Sequence, residues 1–312
     1  RGSYDGANSV GETRLYNDTY IVADNGQYAQ SRNNAWEANG DFLATYAQDV
    51  LDDWSVEVNF GGNIRKERGG AVFTNTGQAL TVPNFFTLSN TQNVVASESV
   101  GSPREVHSLY GFGQIGWRDA LYLDLTGRND WSSTLPPDSR SFFYPSVGLS
   151  AVLSDLVPAF PDAIRFAKVR ASWARVGNSA PPFQTVRTAS FSAGGNNGFL
   201  SLSNTLPAED LKPEETVSYE LGADLRFFQG QRLGVNVTAY QTNTRNQLFT
   251  SALPRGSGAS FEFVNGGDVE NRGIEVTLTG QPIITSDFSS NIDVNFSVNR
   301  SEVVRLTEDQ PS

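Results

Sequence analysis

Residues 120–131 place Leu121, Leu123, Leu125 and Trp131 at odd positions and Tyr122, Asp124, Thr126, Arg128 and Asp130 at even ones. Only an extended strand separates alternate residues onto opposite faces, so the segment is a strand with one apolar and one polar side. Segment 215–228 repeats the pattern, with Val217, Tyr219, Leu221, Ala223, Leu225 and Phe227 set against Ser218, Glu220, Asp224 and Arg226. Segment 231–247 does so again, with Leu233, Val235, Val237 and Ala239 opposed to Asn236, Thr238, Tyr240 and Thr242. Weaker alternation marks 41–50, 54–65, 105–117, 143–154, 164–175, 270–280 and 287–300, which makes ten strands and an all-β chain.

Alternation leaves two architectures open, an antiparallel transmembrane β-barrel and a soluble β-sandwich, and the connections separate them. Gaps 51–53, 118–119, 155–163, 229–230 and 281–286 are short; gaps 66–104, 132–142, 176–214 and 248–269 are long, and the two kinds alternate along the chain. An outer-membrane barrel has short periplasmic turns at one rim and long extracellular loops at the other, whereas a sandwich has no reason to keep that parity. Charged residues in mid-strand, among them Glu57, Asp124, Lys168, Arg170, Glu220, Asp224, Arg226, Glu275 and Asp293, would line the lumen while the apolar face meets lipid.

Composition agrees. Hydrophobic residues make up 38% and mean hydropathy is −0.35, low for a chain with a large aliphatic core. No run approaches the length of apolar sequence that a membrane-crossing helix needs. A net charge of −11, with lysine only at 66, 168 and 212, argues against nucleic acid as a partner. The lack of cysteine removes disulfides and thiolate metal sites.

Trp131, Phe142, Phe143 and Tyr144 fall where strands reach the external loops. Aromatic rings concentrate at both membrane interfaces of a barrel, so these four form part of a girdle, or stack on a solute at the mouth; in a sandwich they would be core aromatics. They are the candidate substrate-binding residues. No constellation for catalysis is present: the carboxylate pairs Asp52 with Asp53 and Glu209 with Asp210 lie in turns or loops, and His107 has no second His or Cys close in sequence. The glycine run at Gly194 and Gly195 lacks the strand-to-helix setting of a phosphate loop. Loop carboxylates such as Asp130 or Asp268 could take Ca²⁺, although turn formation accounts for them more simply. No metal or other cofactor is implied.

Four strings then carry a resemblance. Gly127-Arg128-Asn129-Asp130-Trp131-Ser132-Ser133-Thr134-Leu135-Pro136, followed by Ser141-Phe142-Phe143-Tyr144-Pro145-Ser146-Val147, is similar to a hairpin of the SusC/RagA-type TonB-dependent transporters of Bacteroidota. Lys168-Val169-Arg170-Ala171-Ser172-Trp173-Ala174-Arg175-Val176-Gly177-Asn178, Leu211-Lys212-Pro213-Glu214-Glu215-Thr216 with Tyr219-Glu220-Leu221-Gly222, and Asn265-Gly266-Gly267-Asp268-Val269-Glu270-Asn271-Arg272-Gly273-Ile274-Glu275 resemble further signatures of that family in the same order. The resemblance implies a 22-stranded barrel in the outer membrane, a plug domain inside it, engagement of TonB through segments outside residues 1–312, and a SusD-like surface lipoprotein as lid. It also implies active import of a bulky glycan or peptide.

Residues 1–312 are accordingly expected to be part of one such barrel domain, without its plug. The chain opens at Arg1 with no signal-peptide profile, ten strands leave open edges, and residues 305–312 lack a terminal aromatic, so a longer protein is expected. The alternative function is a secreted or surface β-sandwich of adhesin type that binds without transporting.

Overall fold

A computed structural model describes the chain except residues 19–23, 78, 159, 193–197, 209, 255, 308–309 and 312. Its strands are β1 (Gly2–Leu15), β2 (Gln27–Leu51), β3 (Trp54–Asn75), β4 (Val95–Ser99), β5 (Arg104–Trp117), β6 (Leu121–Ser132), β7 (Ser141–Val152), β8 (Ile164–Asn178) and β9 (Ala189–Ser192). They continue as β10 (Phe199–Leu202), β11 (Thr205–Leu206), β12 (Glu214–Phe227), β13 (Leu233–Arg245), β14 (Gln247–Ala252), β15 (Phe261–Gly266), β16 (Asp268–Gly280), β17 (Ile292–Thr307) and β18 (Gln310–Pro311). One turn of helix, α1 (Leu153–Leu156), follows β7. No described helix is long and apolar enough to cross a membrane. The chain forms two compact units, residues 1–41 with 63–106 and residues 42–62 with 107–312.

In the second unit the strands of one antiparallel sheet follow in the order β2, β3, β5, β6, β7, β8, β12, β13, β16, β17, so each long strand lies beside the next in sequence. Register turns the alternation of the sequence into continuous rows. Leu123 faces Leu149, which faces Ala171, then Leu221, Ala239, Ile274 and Val298. The next row, one residue along, reads Asp124, Gly148, Ser172, Glu220, Tyr240, Gly273, Asn299. One face is therefore apolar across seven strands and the other polar. The apolar face is not covered by a second sheet: Leu149, Leu221, Ile274 and Val298 are all exposed. A sandwich would bury that face against a partner sheet about 10 Å away.

The short connections behave as tight turns. Arg118 and Asp119, with φ of 54° and 52°, form the positive-φ pair of a two-residue hairpin that matches strand twist. Arg118 also donates to Asp53 of the neighbouring turn, Nε to Oδ2 at 3.1 Å and backbone N to O at 2.7 Å, which stitches two hairpins together. Trp54 and Trp117 pack 6.3 Å apart beside these turns, an aromatic cluster at the short-turn rim that periodicity does not single out.

In the first unit, β1 pairs with β2 from Gly2↔Gly40 to Leu15↔Gln27, and β3 pairs with β4 from Ala71↔Ser99 to Asn75↔Val95. Both features depart from the expectation drawn from alternation, which begins a strand at 41 and a loop at 66. The run Gln30-Ser31-Arg32-Asn33-Asn34 and the run Lys66-Glu67-Arg68-Gly69-Gly70 are polar on both faces, so backbone ladders, not an apolar stripe, hold these extensions and no period-2 signal reports them. The remaining loop is knit by Asn90, whose side chain donates to the carbonyls of Val82 and Phe85 and accepts from the Val82 amide. The other long gaps also carry structure: β9 with β10 and β11 in 176–214, and β14 with β15 in 248–269. Strand β17 starts at Ile292, five residues after the expected start at 287.

Candidate functional site

The polar face at the long-loop end of β5, β6 and β7 holds a connected set of side chains. Arg128 on β6 donates from Nε to Asp130 Oδ1 at 2.8 Å and from Nη2 to Ser108 Oγ on β5 at 2.9 Å. Tyr144 on β7 donates its hydroxyl to the other oxygen of Asp130 at 3.1 Å. The Arg128 guanidinium lies 5.8 Å from the centre of the Tyr110 ring, and the Tyr110 ring lies over Gly61 of β3, where a Cβ would come within 2.6 Å of it. Asp130 is 8% exposed and Ser108 3%, so the carboxylate is desolvated and fully engaged, a stiff arrangement of charge-assisted bonds.

Phe142 extends the set: its ring meets Tyr144 edge to face, 5.1 Å between centres at 75°. Strand register divides the four candidate residues. Phe142 opposes Asp130 and Tyr144 opposes Arg128 on the polar face, while Phe143 opposes Asn129 and Trp131 opposes Ser141 on the apolar face. Phe142 and Tyr144 thus stand together, and Trp131 and Phe143 stand on the side that also carries Trp173 and Tyr219, which oppose each other on β8 and β12. The aromatic quartet is two pairs with opposite surroundings.

Phe142 also packs against a buried cluster formed by the long loops: Leu135, Ala180, Ala208 and Leu211, with Leu248 and Phe263. Leu211 is fully buried. Ser139 Oγ donates to the Leu211 carbonyl at 2.6 Å. Asn265 accepts from the Lys212 amide at 2.8 Å and donates to the carbonyls of Lys212 and Asn246 at 3.0 Å each, and Glu214 accepts from the Leu248 amide at 3.1 Å. Three of the four strings that carry the family resemblance therefore meet at one place, as a clasp that fixes the loops above the polar face.

Arg170 of the remaining string explains a glycine of another, Gly222, and Tyr240 explains Gly273 in the same way. Arg170 on β8 reaches across Gly222 on β12 to donate to Thr238 Oγ1 on β13 at 2.5 Å, and a Cβ on Gly222 would lie 2.6 Å from Arg170 Nε. Tyr240 on β13 likewise lies over Gly273 on β16 and donates to Asn299 Oδ1 on β17 at 3.2 Å. Both glycines are gaps that let a long side chain bridge two strands.

The other residues that the sequence offers as candidates occupy ordinary positions. Asp53 pairs with Arg118, and both Asp130 oxygens and one Asp268 oxygen are taken by protein donors, Arg305 at 3.0 Å for Asp268. Among the described residues no group of three or more His, Cys, Asp or Glu stands together to hold a metal ion. Glu209 and residues 194–197 lie outside the described residues. The arrangement offers rings, hydroxyls and paired charge, groups able to stack on or hydrogen-bond to a polar solute.

Comparison with known proteins fits this geometry. The chain is 35% identical over 220 residues to TonB-dependent receptor P39 of Formosa agariphila, covering 68% of this chain and 21% of that protein. It is 31% identical over 100 residues to TonB-dependent receptor SusC of Bacteroides thetaiotaomicron, 32% of this chain and 10% of that one. It spans about a fifth of the length of the curated relatives it matches. Among solved structures, that of the RagAB peptide transporter superposes with a TM-score of 0.87 at 18% identity, over 98% of this chain and 34% of that one, a likeness of fold. The family model described as TonB dependent receptor-like, beta-barrel matches residues 1–310, and the chain belongs to that family of outer-membrane β-barrels.

Proposed function

We propose that this chain is part of the wall and the outer loops of a SusC/RagA-type importer, which carries a bulky glycan or peptide across the outer membrane with energy delivered through TonB. The observation that carries the reading is the stiff polar wall of Tyr110, Arg128, Asp130, Tyr144 and Phe142 directly below the loop clasp. Such a wall presents rings and hydroxyls to a passing solute without an uncompensated charge to trap it. Phe142 and Tyr144 are its solute-facing residues; Trp131 and Phe143 anchor the outer rim in lipid headgroups. Likeness to SusC and, in fold, to the RagAB peptide transporter supports a SusD-like surface lipoprotein as partner, with TonB engaged by segments outside residues 1–312. The proposed role needs no catalytic group.

Uptake of a labelled glycan or peptide mixture by cells expressing the full-length protein tests this. Uptake should vanish without TonB, and Tyr144→Ala should lower it several-fold at normal protein level. Uptake that persists without TonB would sink the proposal.

A further inference from the structure

A cavity of about 550 Å³ lies within the first unit, lined by none of the residues just described. It is built on one face of β1 and β2: Gly6 opposes Trp36, Asn8 opposes Asn34 and Val10 opposes Arg32, so Trp36, Asn34 and Arg32 project to the same side. Its floor is Gly70 of β3, where a Cβ would come 3.1 Å from both Asn34 Oδ1 and the Ser99 carbonyl; a side chain there would fill the hollow. Arg68 lines β3, and Glu98 lines β4, across β3 from Arg32. Tyr4 stacks on Trp36, centres 6.0 Å apart at 24°, and holds the indole flat.

The lining carries two guanidiniums, Arg32 and Arg68, against one carboxylate, Glu98, so it is net positive. Nearby carboxylates serve other cations: Glu37 and Glu67 bond Arg65 at 2.7 and 2.6 Å, and Glu105 bonds Lys66 at 3.1 Å. Arg32 and Arg68 make no ion pair or side-chain hydrogen bond among the described residues, and both are exposed. In a chain of net charge −11, two guanidiniums with only Glu98 against them, beside an indole and two amides, form a locally positive site for an anion. A guanidinium fork suits planar carboxylates and sulfates, the amides both donate to and accept from hydroxyls, and a flat indole suits a ring.

We infer that this cavity binds an acidic carbohydrate, with a sugar ring on Trp36, its carboxylate or sulfate on Arg32 and Arg68, and its hydroxyls on Asn8 and Asn34. The inference rests on the import reading only in making that carbohydrate a cargo; binding itself stands apart from transport.

The test is calorimetric titration of the purified full-length protein with tetragalacturonate, a sulfated carrageenan tetrasaccharide, neutral maltotetraose and tetra-aspartate. At least one acidic saccharide should bind, and more weakly in 500 mM than in 50 mM NaCl. Arg32→Gln and Arg68→Gln should each weaken it about tenfold or more, as loss of a charge-assisted bond requires, and Trp36→Ala should do likewise. Arg68→Lys, which keeps the charge but not the fork, should bind more tightly than Arg68→Gln and more weakly than the parent, and with an unchanged heat-dependent gel mobility guards against a folding defect. The inference is overturned if neither acidic saccharide binds, if maltotetraose or tetra-aspartate binds as well, or if both glutamine variants bind like the parent. Uptake is measured separately, so TonB-dependent uptake with no binding here removes this site alone, and binding without TonB-dependent uptake removes the import reading alone.

Discussion

Leu221→Arg is the substitution on which the face assignment turns. Leu221 is 64% exposed and lies six residues from Phe227 at the short turn, in the middle of the apolar row from Leu123 to Val298. Six residues at about 3.4 Å each, on a strand tilted by roughly 40°, give about 15 Å of height, close to the middle of an apolar band about 25 Å tall. An arginine at that depth on the lipid side costs about 2–4 kcal/mol, a shift of roughly 30- to 700-fold in the folding equilibrium. Glu220, its neighbour on the polar face, is also exposed, and Glu220→Gln should change stability by less than about 0.5 kcal/mol. Urea titration of the full-length protein in lipid vesicles, read by tryptophan emission and heat-dependent gel mobility, measures both. Equal effects of the two substitutions, or no cost for Leu221→Arg, would refute the reasoning, because a water-facing leucine accepts arginine without penalty.

Three further outcomes follow from particular contacts. Gly273→Ala places a Cβ 2.5 Å from the Val298 carbonyl and 2.6 Å from Tyr240 Oη, so it should destabilise the barrel by about 1–3 kcal/mol in the same titration; an unchanged midpoint would contradict the bridging role. Leu211→Ala empties the centre of the loop clasp and should cost that substructure about 2–5 kcal/mol, seen as faster hydrogen exchange in 135–142, 205–214 and 261–266 with the β6 to β8 hairpins unchanged. The Arg14 guanidinium, 2.7 Å from Glu12, holds that carboxyl below the usual range. A lowered folded value stabilises above the unfolded pKa and is lost as pH falls through the folded one, so Arg14→Gln should loosen β1 amides at pH 7 and leave them like the parent near pH 3.

Much of the fold is legible in the sequence because its stability signal is the two-faced strand itself. Leu121, Leu123 and Leu125 announce β6, and the register later aligns them with Ala151, Leu149 and Val147 without a shift. The same signal is silent where both faces are wet. Gln30 to Asn34 and Lys66 to Gly70 carry no alternation, so the extensions of β2 and β3 and the whole of β1 are invisible to periodicity.

The candidate site shows the same limit at finer scale. Parity alone puts Arg128 and Asp130 on the polar side, and it splits Phe142 and Tyr144 from Trp131 and Phe143 once β7 is in register with β6. The partners Ser108, Tyr110 and Gly61 come from strands far apart in sequence, and only pairing brings them together. Polar clasp contacts such as Ser139 to Leu211 span 72 residues and have no local signature.

A scan of single cysteines along 216–226 of β12 tests the central claim most directly, because residues 1–312 contain no cysteine of their own. Spin labels in the full-length protein in lipid bilayers should alternate with a period of two: odd positions from 217 to 225 accessible to oxygen dissolved in lipid, even positions accessible to a water-soluble nickel chelate. That pattern is the one expected of a barrel wall with lipid on one side and a wet lumen on the other. Nickel accessibility at odd and even positions alike would contradict it.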